Sequence, residues 1–575
     1  MQAKSHTSYQ IIQIQRRRIN FLISLIFLVP IIIFSKLVYL QVYQYEYYVS
    51  YAEKQQWAED TIQPKRGNIY VKETDGSYYP LATNIKLNLV YAAPGKCKDQ
   101  EETAASLSVI LGIEKEEILE KFKYSSYYAP IKRKLTEDES NKIRELKDEA
   151  VGLREENWRV YPENSLASQV LGYVDAEGEG RYGLEQFFNE ELKGTPGLYK
   201  VEVDSSGNKI AIGSDVSVPA KDGQDIVLTI NRDIQAQVES ILESAVKKHG
   251  AEGGSVIVLN PKSGEILAMA NYPTFDPNRY TEVTDYSLFR NSATENLYEP
   301  GSIFKVLTMA AGLDAGKIEP ESTFDDTGEL TLNGYTIKNS DLKAHGVRDM
   351  TYVLEQSLNT GSAHIGQLLG KDLFYKYLSE FGLGMISGVE SLSEQAGKLY
   401  RPEEVNDHTY ATISFGQSIS ATPLQLTVAF AAIANGGKMM KPHFLAEKKN
   451  GEKVEPYQAP EPKEVISESA AAKLSKMMVS VVEKGHGGQA KVLGYSVAGK
   501  TGTAQVPKKD GIGYEVGKNI GSFIGFAPAL APEFVVLAKI DSPKGVTWAE
   551  STAAPVVGEV LAKALNYYQV PPIEL

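Results

Sequence analysis

Three short strings, Ser302-Ile303-Phe304-Lys305, Ser357-Leu358-Asn359 and Lys500-Thr501-Gly502-Thr503, constrain this chain more than its composition does. Each is ordinary alone, and together they work only in a fold that gathers distant segments around one cleft. A serine hydroxyl is a weak nucleophile at neutral pH and needs a base within hydrogen-bond reach. Pro300 and Gly301 interrupt regular structure, and Ile303 to Leu313 reads as an apolar helix, so Ser302 opens that helix. There the unpaired N–H groups and the positive end of the helix dipole favour developing negative charge. Lys305 lies one turn on, in apolar surroundings that ease its deprotonation, and is the candidate base. An N-cap serine followed by a snorkelling lysine is the bland reading of this string alone.

Ser357 and Asn359 point the same way only in a loop or extended segment. Ser357 could then pass a proton between Lys305 and a leaving amine, while the Asn359 amide holds a substrate carbonyl and the lysine. By itself a Ser/Asn turn before Gly361 explains the pattern. Around Lys500, the run Tyr495 to Val506 alternates β-branched and small residues as a strand does, and its glycines let a ligand backbone approach. A lysine with two threonine hydroxyls on one strand face suits a substrate carboxylate, and an extended acyl donor could add to the strand as to a sheet edge. Gly494 to Thr501 also fits the phosphate-loop pattern G-x-x-x-x-G-K-[ST], but Gly502, Thr503, Val506 and Pro507 cannot begin the helix such a loop requires.

With these residues the chain resembles the class B penicillin-binding proteins, membrane-anchored D,D-transpeptidases. Glu299-Pro300-Gly301-Ser302 and Val497 to Gln505 resemble the family's first and third motifs, and Thr422 to Leu426 with Ala434 to Gly437 resembles an intervening helix. Arg66-Gly67-Asn68-Ile69-Tyr70, Arg159-Val160-Tyr161-Pro162 and Gly183-Leu184-Glu185 resemble its N-terminal domain. Two departures stand out: Val71 to Gly76 replaces a D-R-N-G turn, and Gly485-His486-Gly487-Gly488 stands where relatives have G-T-G or G-T-A. The resemblance implies a Ser302 acyl-enzyme formed on the D-Ala-D-Ala end of a peptidoglycan stem peptide. Lys305, Ser357, Asn359 and Lys500 would be catalytic, and Thr501, Gly502 and Thr503 would serve the carboxylate and oxyanion sites. The oxyanion hole would be the N–H groups of Ser302 and Thr503, and two such donors can each contribute about 3 to 4 kcal/mol. It further implies β-lactams as inhibitors, a SEDS-family glycan polymerase and other division proteins as partners, and a division or sporulation role. That last leaning rests on Ser357 to Gly361 and Ile337 to Asn339.

Among 575 residues the formal charge is −13, which argues against a nucleic-acid partner. Cys97 is the sole cysteine and the seven histidines lack ligand spacing, so no metal and no cofactor is expected; His345 and His486 read as loop residues. Ile19 to Val42 is a membrane span, almost wholly apolar from Phe21 to Phe34, with Arg16, Arg17 and Arg18 before it and tyrosines from Tyr39 to Tyr51 after it. That charge asymmetry predicts a cytoplasmic N-terminus and a catalytic part outside the plasma membrane. The competing reading is a cleaved signal peptide, for which Ser50-Tyr51-Ala52 lies too far beyond the apolar run.

The expected organisation is a cytoplasmic tail at 1–18, an anchor at 19–42, a mixed α/β pedestal or dimerisation-like domain at 53–220 and a transpeptidase domain at 225–567, with the boundary at Pro219 to Gln224. The pedestal should contain strands at 68–71 and 88–92, a capping box at Thr136 to Glu139 and a hairpin at Val201 to Ile210. The catalytic part reads as α+β, an antiparallel sheet flanked by helices. Hairpins are expected at 255–270 and 522–541 with the third-motif strand between them, followed by a C-terminal helix from 551 to about 567. Two rival functions remain at this stage, a β-lactam-hydrolysing or sensing protein on the same fold, and a non-catalytic division scaffold.

Overall fold

The computed structural model describes residues 3–202, 215–332, 334–508, 513–546 and 548–572. It divides into two compact units, Met1–Pro64 with Thr195–Lys221, and Lys65–Gly194 with Asp222–Leu575. In the first unit, helix Ala3–Val38 passes through a π-helical turn at Tyr39–Tyr43 into helix Tyr45–Gln56. Among the described residues, Gln13–Tyr43 is the one helix long and apolar enough to cross a membrane, with mean hydropathy 2.6. Phe21, Phe27 and Phe34 are about two-thirds exposed, a surface that water would not tolerate over such a length. Pro30 sits inside this helix, as membrane helices allow. Strand Trp57–Ile62 pairs antiparallel with Gly197–Glu202, which pairs with Asp215–Val218. The turn of the hairpin expected at 201–210 lies outside the described residues.

The second unit begins with a long strand, Tyr78–Ala92, flanked antiparallel by Ile69–Lys72, Ala129–Leu135 and Val151–Val160. Helices Gln100–Leu111, Lys115–Tyr124 and Glu137–Leu146 cover a core of Leu107, Ile118, Ile131 and Ile143. The last helix opens on the Thr136–Glu139 capping box read from the sequence. Ile69–Lys72 also pairs in parallel with Asp225–Leu228, which pairs with Leu445–Asn450, so one sheet runs across the 219–224 boundary. Buried beside it, Glu185 accepts from Arg66 Nε at 2.8 Å and from Arg159 Nε at 2.7 Å.

Further on lies a five-stranded antiparallel sheet in the order 266–272, 253–259, 534–541, 514–527, 498–507. Its strands alternate between two apolar faces. Val256, Val258, Val536 and Ala538 pack under helices Arg232–His249 and Ala553–Tyr567, while Ile257, Val535 and Leu537 face the helical core containing Phe304, Leu426 and Phe430. Burial on both sides explains why these strands read as unbroken apolar runs. One expectation is corrected here: the third-motif strand Ala498–Pro507 does not lie between the two hairpins. Phe534–Asp541 pairs directly with Gly253–Leu259, which leaves no vacant ladder between them, and 498–507 pairs only with Tyr514–Ala527 at the sheet's edge.

Candidate active site

Ser302 sits in a tight 3-10 turn, Gly301–Phe304, that leads into the buried helix Lys305–Asp314. The helix expected from Ile303 thus begins as expected but winds its first turn more tightly. Gly301 has φ +58°, and a Cβ there would lie 2.8 Å from the Thr503 carbonyl oxygen. A Cβ on Gly502 would lie 2.8 Å from the Pro300 carbonyl oxygen. Only glycines at both places let the serine turn and the edge strand meet backbone to backbone.

Lys305 is 1 % exposed. Its amine meets the Ser357 carbonyl oxygen, Asn359 Oδ1 at 2.8 Å and Ser357 Oγ at 3.2 Å. Ser357 takes φ +56° in the turn between helices Met350–Glu355 and Asn359–Leu369, and the extended Leu358 between them carries Ser357 and Asn359 to the same side. Strict alternation would set Lys500 against Thr501 and Thr503 across the strand. Its long side chain instead curls back, bringing Nζ to 3.0 Å from Ser357 Oγ and 3.4 Å from Thr501 Oγ1. The two amines therefore converge on one hydroxyl.

Neither lysine forms an ion pair with a carboxylate among the described residues. Burial, and next the Lys500 charge, hold the Lys305 amine well below the ordinary lysine range. Burial lowers Lys500 to about 7. A neutral Lys305 amine has two hydrogens and one lone pair. The Ser357 carbonyl and Asn359 Oδ1 take the hydrogens, which leaves the lone pair for a hydroxyl proton. The Asn359 amide cannot turn over freely, because its Nδ2 donates to the Lys338 carbonyl at 2.8 Å.

Ser302, Ser357, Asn359, Thr501 and Thr503 line one cleft of about 1070 Å3, and Lys305 and Lys500 are buried behind them. Gly502 joins the two threonines, and the Thr503 hydroxyl accepts from Ala549 N at 3.3 Å. The segment 494–501 runs on into strand Ala498–Pro507 and opens no helix, so it does not form a phosphate loop. Among the described residues no group of three or more His, Cys, Asp or Glu side chains is placed to hold a metal ion.

The cleft also contains residues that sequence reasoning missed, including Gln417, Tyr514 and Trp548. Tyr514 donates to Glu299 Oε2 at 3.0 Å, and Ser418 N donates to Glu299 Oε1 at 3.0 Å. Glu299 was visible only as the residue before Pro300, and nothing in the spacing points to its partners. Burial raises the Glu299 carboxyl, and burial with that carboxylate pushes Tyr514 up to about 12. His486, read as a loop residue, does lie in a loop, but its imidazole lines the cleft 3.5 Å from Glu550. His345 lies in a loop too, bonded to Asp341 and Tyr352.

Residues 254–562 match the penicillin binding protein transpeptidase domain, and residues 61–228 match the penicillin-binding protein dimerisation domain. The stage V sporulation protein D of Bacillus subtilis is 34% identical over 572 residues, covering 97% of this chain and 86% of that protein. The peptidoglycan D,D-transpeptidase FtsI of Escherichia coli is 30% identical over 509 residues, covering 87% and 84%. The crystal structure of penicillin-binding protein 3 from Mycobacterium tuberculosis, complexed with aztreonam, superposes with a TM-score of 0.70 at 26% identity, covering 90% of this chain and 98% of that one.

Proposed function

The chain belongs to the class B penicillin-binding proteins, and from that membership we propose that it is a peptidoglycan D,D-transpeptidase working through a Ser302 acyl-enzyme. The observation that carries this reading is the meeting of Lys305 and Lys500 on Ser357 Oγ, behind a cleft that Ser302 lines. Lys305, kept neutral by burial, takes the Ser302 proton as the oxygen attacks the penultimate D-Ala carbonyl of a stem peptide. The N–H groups of Ser302 and Thr503 hold the tetrahedral oxygen. Ser357 relays the proton to the departing D-Ala amine, and Asn359 supports both the donor amide and Lys305. Lys500, Thr501 and Thr503, with Gly502 allowing the close approach, receive the terminal carboxylate. A second stem's amine then enters where the first left and attacks the ester, forming the cross-link and freeing Ser302. A β-lactam follows the first half of this route and stops at the ester.

We assign residues 53–220 to a pedestal and 225–567 to the transpeptidase domain. The 19–42 helix anchors the protein in the plasma membrane with residues 1–18 in the cytoplasm and the catalytic part outside, as the Arg16 to Arg18 cluster supports. Septal or sporulation wall synthesis is the finer assignment, supported by the relative named a stage V sporulation protein, and a SEDS-family polymerase is the partner the family resemblance implies.

Labelling the purified protein with a fluorescent penicillin tests the reading. Wild type should take up stable label and Ser302→Ala none. Label on the Ser302→Ala protein would refute the nucleophile, and rapid release from wild type would indicate a β-lactamase.

A further inference from the structure

Behind Asn359 lies a buried carboxylate that the mechanism above does not use. Asp326 is 1 % exposed, and each of its oxygens accepts two hydrogen bonds. Oδ1 takes them from Thr360 Oγ1 at 2.7 Å and Gly328 N at 3.0 Å, and Oδ2 from Asn339 Nδ2 at 2.8 Å and His345 N at 3.1 Å. Every contact is a donor, so the carboxyl group is held by dipoles alone. Asn339, itself 1 % exposed, turns its Oδ1 to Thr360 N at 3.3 Å and Thr360 Oγ1 at 3.0 Å.

Thr360 is the second residue of helix Asn359–Leu369, whose N-cap, Leu358, offers no side-chain cap. The orphan N–H groups of that helix would otherwise lack partners. Asn339 therefore caps the helix from another segment, and the Asp326 carboxyl lies against the helix's positive end. The same segment supplies the Lys338 carbonyl that accepts from Asn359 Nδ2. One strap, 338–339, thus fixes both the helix end and the amide that begins it. The chain of contacts runs from Asp326 to Asn339, along the backbone to the Lys338 carbonyl, from there to Asn359, and ends on the Lys305 amine.

We infer that Asp326 and Asn339 are positioning residues for acylation: they clamp the first turn of the Asn359–Leu369 helix so that Asn359 Oδ1 stays on the Lys305 amine. A cap needed for folding alone would lower stability and leave the chemistry of each folded molecule intact. A clamp on the base also slows the acylation step, because small misplacements near a reacting group are costly. This inference rests on the transpeptidase reading.

The test follows fluorescent penicillin acylation by rapid mixing, which separates the rate constant for acylation from the dissociation constant of the non-covalent complex. Asn339→Asp sets a second carboxylate against Asp326. It should slow acylation roughly 10- to 100-fold while the dissociation constant changes far less. Adding Asp326→Asn removes the repulsion between the two carboxylates but turns an amide nitrogen toward His345 N and leaves the Lys343 carbonyl without its donor, so it should restore part of the rate. Should Asn339→Asp not fold, Thr360→Val, which keeps the shape and removes one hydroxyl, should slow acylation in the same direction by a smaller factor. Wild-type rates in both single variants, or no recovery in the Asp326→Asn/Asn339→Asp double variant, would overturn the clamp. A wild-type protein that takes up no label would overturn the transpeptidase reading itself.

Discussion

Two clusters of buried charge lie within the second compact unit, and they are built in opposite ways. Near the start of that unit, Glu185 is fully buried between Arg66 and Arg159, whose side chains are 9 % and 4 % exposed. Tyr161 donates a further bond to Glu185 at 3.2 Å, Arg66 Nη1 also reaches Asn189 Oδ1, and Arg159 Nη1 the Gly67 carbonyl, while Arg159 Nη2 is buried with no hydrogen-bond partner among the described residues. In the cleft wall two amines share a hydroxyl with no acid beside them. Burial alone would raise the Glu185 carboxyl, but the charges of Arg159 and Arg66 outweigh it and hold the group below its ordinary value, ionised and inert. Burial of the lysines meets no such opposition, so both are held below the ordinary lysine range, Lys500 at about 7. A buried carboxylate flanked by arginines is architecture here, and a buried amine without an acid beside it is a reagent.

The sharpest way to break this comparison is to substitute one member of each cluster. Lys305→Met should slow penicillin acylation by about 10²- to 10⁴-fold, the usual contribution of a general base, as read by labelling kinetics. Its thermal midpoint should stay nearer to wild type than that of Glu185→Gln. The latter leaves two arginines buried without their acid and should cost about 3 to 5 kcal/mol in denaturant unfolding. Acylation by its folded fraction should be unchanged, so a large rate loss in Glu185→Gln would erase the distinction.

Changing pH probes the same contrast without substitution. As pH falls through the depressed range of Lys305, the acylation rate should fall about tenfold per pH unit as that amine regains its proton. Stability should respond in two separate windows. Lys500 is lowered to about 7 in the folded state from about 10.4 in the unfolded chain, so across that range the unfolded state binds the extra proton and stability rises with pH. Lys500→Met should flatten this rise in unfolding free energy. Glu185 is also lowered, so its stabilisation is complete above the unfolded carboxylate's value of about 4.3 and is lost as pH falls through the folded one. Glu185→Gln should remove that acidic dependence only. The smallest effect belongs to an exposed pair such as Lys86 and Glu155, 2.8 Å apart in water, where Glu155→Gln should leave the thermal midpoint indistinguishable from wild type.

Much of the site was legible because its signals are local. A serine and lysine at i, i+3 need only one turn of helix, and the strand around Lys500 announces itself by alternation. The Thr136 capping box and the membrane helix are equally short-range. Other features depend on neighbours the sequence does not name. The edge position of the third-motif strand follows from the pairing of 534–541 with 253–259, not from its own residues. Tyr514 reaches Glu299, and Asp326 reaches Thr360, across long sequence intervals that no periodicity records. The 69–72 strand crosses to 225–228 because a parallel pair needs a long connection, and such connections leave no turn signature.

The sequence by itself supplied the candidate reacting groups, since a hydroxyl, two amines and an amide carry their chemistry wherever they fall. It also marked the one helix, among the described residues, long and apolar enough to cross a membrane. Tertiary structure alone decided that both amines would end on Ser357 with no acid between them, and that Asp326 would bond Thr360, the residue after Asn359. Reactivity of this kind comes from desolvation and from missing counter-charges, and both depend on what packs around a residue.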